Sequence, residues 1–283
     1  SQQVTLNWSG VAGADNYTVY WTDTPSTAID PASAATYDGT KTVSTLTTII
    51  TGLTNGTSYD FAVKATNSAG SSAVSDEANA TPLAAKTVTL TTTGTTSITE
   101  GTTGTTRSRS LIATLSASST QATTVTLTPT GTATGGGADY TLLSSTITIN
   151  AGNTTGSTTV NSLGDDVDES NETIILNITG VSGGEGAVEN GTQTVTFTIT
   201  DDDTSGFTVA ESSGTSVSES GSTDTFTVVL NSKPTGNVVF NVTSGDTGEA
   251  TVSPSTLTFT TVNWNSAQTV TVTGINDDID DGN

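Results

Sequence analysis

Apolar and polar residues alternate along almost the whole chain with a period of two. Val4, Leu6 and Trp8 follow this pattern, and so do the apolar positions of residues 59–65. A period of two with many Val and Thr residues is typical of β-strands. Turn sequences such as GADN, TNGTS and SGGEG interrupt the runs at short intervals, and no segment keeps a helical period. The pattern predicts an all-β protein made of tandem β-sandwiches.

The length of 283 residues suits several small cores rather than one. We predict three units, at residues 1–83, 84–203 and 204–283. The last two are related by an internal repeat of roughly 110 to 120 residues. Three pairs of sequences carry it: SITEG at 97 with SVSESG at 216, STITIN at 145 with STLTFT at 255, and GDDVDESN at 164 with NDDIDDGN at 276. The third unit is expected to lack the last two strands of the second.

The composition excludes several kinds of binding partner and of reactive side chain. The net charge is −22, from 28 acidic and 6 basic residues, and the chain contains no Cys, Met or His. Such a charge argues against nucleic acid and against anionic membrane surfaces as partners, and no apolar run reaches the ~20 residues of a membrane helix. Thiol nucleophiles, imidazole bases and soft metal ligands are excluded, which leaves oxygen chemistry. The absence of cysteine together with the Thr-rich surface favours an extracellular location.

The acidic residues of the second unit fall into four groups along the chain. The groups are Glu100; Asp139; Asp165, Asp166, Asp168, Glu169 and Glu172; and Asp201, Asp202 and Asp203. Two predicted strands separate each group from the next, so all four groups should meet at one end of the sandwich. A like-charge pair at 4 Å costs about 1 kcal/mol in water and about 4 kcal/mol at an effective dielectric of 20. A hard divalent cation would compensate this cost, and Ca²⁺ suits flexible oxygen ligands better than Mg²⁺.

The first unit resembles a fibronectin type III domain. VTLNWSG, YTVYW and LTNGTSYDFAVKATNSAGSS, followed by ANATP, carry the resemblance. It implies that Tyr59 forms a tyrosine corner by hydrogen bonding to upstream backbone, while Phe61 and Val63 enter the core. We interpret this unit as a rigid spacer; the alternative is a ligand-binding loop that the sequence does not locate.

The second unit resembles a Calx-beta domain, the calcium-binding sandwich of sodium–calcium exchangers, which is also found in large bacterial surface proteins. SITEG, ADY, DDVDESNET and TITDDD carry the resemblance over residues 87–203. It implies a set of calcium ligands: Glu100, Asp139, Asp165, Glu169, Glu172, Asp201, Asp202 and Asp203. Asp166 in the same run is a further candidate. Family members often carry an acid where this chain has Gly164, so one ion position is expected to be weakened.

The third unit matches the same family incompletely, from about residue 206. The corresponding ligands are Glu219, Asp277, Asp278 and Asp281, with either Asp246 or Glu249 in the place of Asp139. GDTGEA departs from ADY, so the resemblance at this position is weaker than in the second unit. Trp264 lies in VNWNSAQTVTV and is interpreted as a structural residue.

The leading functional hypothesis is a calcium-binding, calcium-stiffened segment of an extracellular multidomain surface protein, an adhesin or filament component. The expected partners are calcium, neighbouring domains of the same chain and, through strand donation to the incomplete third unit, other subunits. One alternative is a glycan- or protein-binding module. Another is an accessory spacer of a secreted polysaccharide-degrading enzyme. Catalysis within the chain is not expected, because the acids are predicted to lie on exposed loops rather than in a walled cleft.

Overall fold

The computed structural model describes residues 2–24 and 28–276, and almost every element in them is a β-strand. A single short 3-10 turn, Ala34–Thr36, interrupts the strands of this described part. The predicted all-β class is confirmed. By their internal contacts the residues divide into two compact units, one formed by Ser1–Thr87 with Ser182–Val188 and the other by Val88–Val181 with Glu189–Asn283.

The first compact unit contains seven strands from the N-terminal part of the chain. They are β1 Gln3–Asn7, β2 Asn16–Thr22, β3 Gly39–Val43, β4 Thr47–Thr51, β5 Tyr59–Asn67, β6 Gly70–Val74 and β7 Ala78–Ala80. Strand β1 pairs with β4, and the second sheet has the order β3-β2-β5-β6 with β7 also on β5. The core between the sheets contains Val19, Ile50, Leu53, Tyr59 and Phe61.

Two aromatic residues of this core behave as the sequence indicates. The Tyr59 hydroxyl accepts a hydrogen bond of 3.1 Å from the Thr54 amide, which forms the predicted tyrosine corner. Trp8 packs against the core and lies 5.7 Å from Tyr17, measured between ring centroids. Both contacts fix the end of one sheet against the other.

Ten strands follow in the second predicted unit. They are β8 Thr87–Thr92, β9 Ser97–Thr99, β10 Thr106–Leu115, β11 Thr123–Gly131, β12 Tyr140–Leu142, β13 Thr146–Ile149, β14 Thr155–Leu163, β15 Glu172–Gly183, β16 Val188–Glu189 and β17 Thr194–Thr200. They form two five-stranded sheets with the orders β12-β14-β10-β8-β16 and β13-β11-β15-β17-β9. Alternate residues of these strands are almost fully buried, among them Leu111, Val125, Ile174, Leu176 and Phe197.

Six strands lie in the described part of the third predicted unit. They are β18 Phe207–Glu211, β19 Thr223–Leu230, β20 Val238–Asn241, β21 Ala250–Ser253, β22 Thr256–Phe259 and β23 Gln268–Gly274. One sheet has the order β18-β19-β23-β21, and the other consists of β20 and β22 alone. Val228, Leu230, Leu257, Phe259 and Val270 form the core, with Trp264 packed against it. Trp264 is therefore a structural residue, as the sequence indicates.

Candidate metal centre

The four acidic groups of the second unit converge at one end of its sandwich. Glu100 directly follows β9, and the run 165–172 connects β14 to β15. Asp139 directly precedes β12, and Asp201, Asp202 and Asp203 directly follow β17. The convergence has a simple origin, because β9 pairs in parallel with β17 and both strands deliver their acids to the same sheet end. The predicted convergence is observed, but the predicted strand count is wrong in two places. The short strands β12 and β16 make the count three, not two, between Asp139 and Asp165 and between Glu172 and Asp201.

Three carboxylates form the centre of the cluster. Glu100, Asp165 and Glu169 each offer one oxygen, and these oxygens all lie within 4.8 Å of one another. Glu100 is buried, with 5% of its surface exposed, whereas Asp165 is half-buried and Glu169 is exposed. No Lys or Arg side chain forms an ion pair with these acids among residues 2–24 and 28–276. Within the described residues, these negative charges are therefore not balanced by an ion pair.

The buried position of Glu100 corrects one expectation from the sequence. The sequence predicts that the acids lie on exposed loops. Glu100, which directly follows β9, is instead buried, and its amide donates a hydrogen bond to the Thr200 carbonyl oxygen. The alternation Ile98 in, Thr99 out, Glu100 in carries the signal, since residues two apart share a face. A strand-phase reading of SITEG would have located this buried carboxylate.

Burial raises the pKa of Glu100 to about 7, and the negative charges of Asp165, Glu169 and Asp201 add to the effect. A hydrogen bond from the backbone of Asp165 acts in the opposite direction. Burial followed by the charges of Asp165, Asp139 and Asp201 also raises the pKa of Glu169. Both shifts thus arise first from burial of the carboxyl groups and then from the negative charges of their neighbours.

A second part of the cluster joins Asp139 to Glu172. Burial, followed by a hydrogen bond with Asp139 and the charges of Asp139 and Glu169, raises the pKa of Glu172 to about 7. Asp139 is held in place from both sides of its backbone and by its own side chain. Its carbonyl oxygen accepts a bond of 2.8 Å from the Leu163 amide, and its Oδ2 accepts one of 2.5 Å from the Thr134 amide. Asp139 therefore presents one carboxylate oxygen from a fixed position.

The third part of the cluster contains Asp166, Asp202 and Asp203. Oδ1 of Asp202 accepts a hydrogen bond of 2.7 Å from the Gly101 amide, and Oδ1 of Asp166 accepts one of 3.2 Å from the Thr103 amide. Burial and the charges of Asp166, Asp201, Asp202 and Asp165 raise the pKa of Asp203. The loop after Glu100 thus contacts the other two acidic loops directly, and its amide groups orient their carboxylates.

Gly164 has a structural reason that the sequence did not reveal. A Cβ atom at this position would overlap the carbonyl oxygen of Gly101 and the hydroxyl of Thr105. The amide of Gly164 also donates a hydrogen bond of 3.0 Å to the Thr105 carbonyl oxygen. An acid at position 164 would displace the loop that carries Glu100. The close approach of the two loops therefore accounts for the glycine, and the weakening of one ion position stays a prediction.

Asp168 takes a role apart from the cluster. Its Oδ2 accepts a hydrogen bond of 2.9 Å from the Ser205 amide. Hydrogen bonds from the Ser205 side chain and backbone hold the pKa of Asp168 below its usual range. On the same loop, the carbonyl oxygen of Asp166 accepts a bond of 2.7 Å from the Lys233 amide. Residues 165–168 therefore contact the acid cluster through side chains, and they contact the third unit through the Asp168 side chain and the Asp166 carbonyl oxygen.

The residues predicted for the third unit are only partly described. Asp277, Asp278 and Asp281 lie outside the described residues, and Glu219 is exposed in the loop that precedes β19. Strand pairing decides between the two counterparts of Asp139. The Ile275 amide donates a bond of 2.8 Å to the Glu249 carbonyl oxygen, just as Leu163 does to Asp139. Glu249 therefore occupies the position of Asp139, whereas the Asp246 side chain accepts a bond from the Gly248 amide in its own turn.

The chemistry of the donors fits a hard divalent cation. The cluster presents carboxylate oxygens from four chain segments, and part of it is shielded from water. Ca²⁺ takes six to eight oxygen ligands in flexible geometry, whereas Mg²⁺ demands a near-ideal octahedron. Glu100, Asp165 and Glu169 would hold such an ion at the centre, and Asp139, Asp201 and Glu172 interact electrostatically with Glu169.

Comparison with protein families agrees with the resemblance found in the sequence. Residues 1–81 match the Fibronectin type III domain, and residues 87–203 match the Calx-beta domain. The chain thus contains a fibronectin type III domain followed by a Calx-beta domain, as predicted. Both are families of non-catalytic domains. A search of curated proteins found no match.

Solved structures give more distant similarities. One, described as "Crystal structure of CBD12 from CALX1.2", is 16% identical, with a TM-score of 0.33 over 65% of this chain and 73% of its own. Another, a marsupial T cell receptor, is 12% identical, with a TM-score of 0.32 over 98% of this chain and 90% of its own. In the part of the chain that the structure describes, no helix has the length and apolar character needed to cross a membrane.

Proposed function

We propose that the chain is a calcium-binding segment of an extracellular multidomain surface protein, in which the ion stiffens the sandwich and its junction to the next unit. One observation carries the proposal: a buried carboxylate, Glu100, lies in a cluster of oxygens that no basic side chain of the described residues neutralises. The match to the Calx-beta domain, whose members typically bind Ca²⁺, supports the same ion. Adhesin or filament assembly is the setting in which such a segment would serve.

A bound cation would stabilise the folded chain, because the clustered carboxylates have no ion-pair partner among the described residues. Without a cation, Glu100 and Glu172 are raised to pKa values of about 7 because their charged forms are unfavourable. A divalent ion reverses the sign of this local field and favours the ionised carboxylates. Binding to the folded state alone then adds to its stability. For extracellular calcium modules the dissociation constant is typically about 10⁻⁴ to 10⁻³ M.

The proposed stiffening between the second and third units rests on residues 165–168, which contact both the acid cluster and the third unit. Asp165 belongs to the centre of the acid cluster, and the next residues bond to Lys233 and Ser205. An ion that fixes the conformation of residues 165–168 therefore also fixes these two contacts. Removal of the ion is expected to loosen the loop and increase bending at the junction, which small-angle scattering with and without chelator measures. Identical scattering curves would contradict this part of the proposal.

The decisive experiment is a thermal melt of the chain at pH 8 in 10 mM Ca²⁺, in 10 mM Mg²⁺ and in chelator. At 10 to 100 times the dissociation constant, calcium is expected to raise the melting temperature of the second unit by about 5 to 10 °C. Magnesium is expected to give a much smaller rise. Equal effects of the two ions would overturn a calcium-selective site.

Glu100→Gln makes the test specific, because it should act with opposite signs in the two conditions. The substitution removes a buried charge, so the ion-free chain becomes more stable, while the rise produced by calcium is lost. Glu219→Gln in the exposed loop of the third unit is the matched control and should change neither melt of the second unit. A Glu100→Gln chain that keeps the full calcium response would remove Glu100 from the site.

A further inference from the structure

The sequence Asn-Gly-Thr occurs twice in the chain, at residues 55–57 and 190–192. An asparagine followed by glycine is especially prone to lose its side-chain amide, because glycine has no side chain to hinder attack by its own backbone nitrogen. Both pairs are exposed, and both glycines have a positive φ, +83° for Gly56 and +66° for Gly191. The local sequence and the backbone are therefore alike, so a difference in reactivity has to come from the surrounding structure.

The two pairs differ in whether their reacting groups have hydrogen-bond partners. The Gly56 amide donates a bond of 2.8 Å to the Pro82 carbonyl oxygen, and the Asn55 side chain accepts one of 2.9 Å from a backbone amide. Within the part of the chain that the structure describes, neither the Gly191 amide nor the Asn190 side chain forms a hydrogen bond. The nitrogen that must attack is therefore occupied in the first pair and available in the second.

Gln193 polarises the peptide group that joins Asn190 to Gly191. Its Nε2 donates a hydrogen bond to the Asn190 carbonyl oxygen, and its Oε1 accepts one of 3.2 Å from the Leu90 amide, which fixes the side chain in this position. Loss of the Gly191 amide proton places negative charge on the Asn190 carbonyl oxygen. A fixed donor aimed at that oxygen stabilises the charge and so makes the Gly191 nitrogen a better nucleophile.

We propose that Asn190 is a site of spontaneous deamidation, in which the Gly191 nitrogen attacks the Asn190 side chain and Gln193 stabilises the developing charge. The nitrogen gives its proton to solvent and bonds to Cγ of Asn190. The bond from Cγ to the side-chain nitrogen breaks, and that nitrogen takes a proton from solvent and leaves as ammonia. Water then opens the resulting succinimide at either carbonyl, which gives aspartate or isoaspartate. Water is consumed and ammonia released, with no change of oxidation state.

The modification changes a turn that is tied to strand β8 at two points. The Asn190 amide donates a bond of 3.0 Å to the Val88 carbonyl oxygen, and the Gln193 side chain accepts the bond from Leu90. Isoaspartate lengthens the main chain by a carbon atom between Cα of residue 190 and the Gly191 nitrogen. The longer turn does not keep both ties in register, so the Leu90 amide should exchange faster with solvent after the reaction.

The test incubates the whole 283-residue chain in mildly alkaline buffer and follows both Asn-Gly pairs by peptide mapping with mass spectrometry. Asn190 is expected to react at least about tenfold faster than Asn55, because the Gly56 amide must first break its bond to Pro82. In denaturant the two rates should fall within about threefold of each other, since the local sequence is the same. Equal rates in the folded chain, or a faster reaction at Asn55, would overturn the proposal.

Gln193→Glu tests the role of the hydrogen-bond donor. Glutamate keeps an oxygen for the Leu90 amide but, when ionised, cannot donate to the Asn190 carbonyl oxygen, so deamidation should slow at least about threefold. Thr192→Glu adds the same charge at an exposed neighbouring position and leaves the donor in place, so it should slow the reaction less. If Gln193 only restrained the turn, Gln193→Glu would speed the reaction. An unchanged or faster rate in a variant whose other strands keep the parent's hydrogen exchange would therefore overturn the assignment of Gln193.

Discussion

The second and third units, which the sequence predicts to be repeats, have different cores. In the second, both sheets have five strands, and Val125, Ile174 and Phe197 are fully buried. In the described part of the third, the sheet of β20 and β22 has two strands, and Val238 and Phe240 stay half-buried. The difference teaches that residue pattern selects strands, whereas burial of those strands depends on which others pair with them.

The two aligned glutamates, Glu100 and Glu219, differ in burial for the same reason. In the second repeat β17 pairs in parallel with Ser97–Thr99, which carries Glu100 into the sandwich. Among the described residues of the third, 216–219 form no strand, and Glu219 remains exposed. A carboxylate becomes a buried, charge-repelled ligand candidate only when a partner strand fixes the direction of its side chain. The repeats can therefore be tested against each other.

The largest expected loss of stability comes from truncating a buried phenylalanine in the core of the second or third unit. Phe197→Ala should lower the free energy of unfolding of the second unit by about 3 to 5 kcal/mol, because the cavity is enclosed on all sides. Phe259→Ala in the third unit should cost less, since the surrounding strands can close over it. Hydrogen exchange separates the two units within one chain. Equal losses would mean that the third core is as closed as the second.

The next effect concerns calcium affinity. Asp165→Asn removes one of three carboxylates whose oxygens lie within 4.8 Å of one another. Loss of that charge beside a divalent ion should weaken calcium binding at least about tenfold. Asp246→Asn, on a turn of the third unit, is the matched change and should leave the affinity unaltered. Titration calorimetry measures both, and a comparable loss for the two variants would contradict the assignment.

The stability of the ion-free chain and its calcium affinity should both depend on pH through the acids of the second unit. Glu100 and Glu172 have pKa values raised from 4.5 to about 7, so the folded ion-free chain binds their protons more tightly than the unfolded chain does. Their contribution to stability is therefore most favourable at low pH and declines as pH rises from about 4.5 to about 7. Calcium must displace these protons, and its affinity should fall about tenfold per group between pH 8 and pH 6. Calorimetry across this range, with Glu172→Gln reducing the slope, is the check. An affinity independent of pH would contradict the shifts.

The smallest expected change in the free energy of unfolding comes from exchanging Thr and Val at one aligned core position. Thr123 is fully buried, and its hydroxyl has no hydrogen-bond partner, whereas the aligned residue in the third repeat is Val238. Thr123→Val should stabilise the second unit by about 1 kcal/mol, because an unsatisfied hydroxyl is removed at nearly constant volume. Val238→Thr should cost less than 1 kcal/mol, because water still reaches that position. Denaturant unfolding followed by unit-specific exchange measures both signs. Destabilisation by Thr123→Val would show that the hydroxyl does have a partner in solution.

Much of the candidate site was predictable because its residues lie at strand ends. Glu100, Asp139, the run 165–172 and residues 201–203 could be grouped by counting strands between them, and the structure brings these groups together. The prediction of exposed loops is wrong for Glu100, although the alternation in SITEG places Glu100 on the same face as the buried Ile98. The roles of Gly164 and Asp168 could not be predicted, since each depends on a distant loop: Gly101 for the glycine and Ser205 for the aspartate.

The sequence by itself determined the class of fold, the repeat and the location of the acids along the chain. Alternation, turn residues and charge are local properties, and they can be read without knowing which strands meet. Only the tertiary structure decided which carboxylate is buried and which loop contacts the next unit. Those outcomes depend on pairings such as β9 with β17, where residues about 100 positions apart in the chain become neighbours through backbone hydrogen bonds.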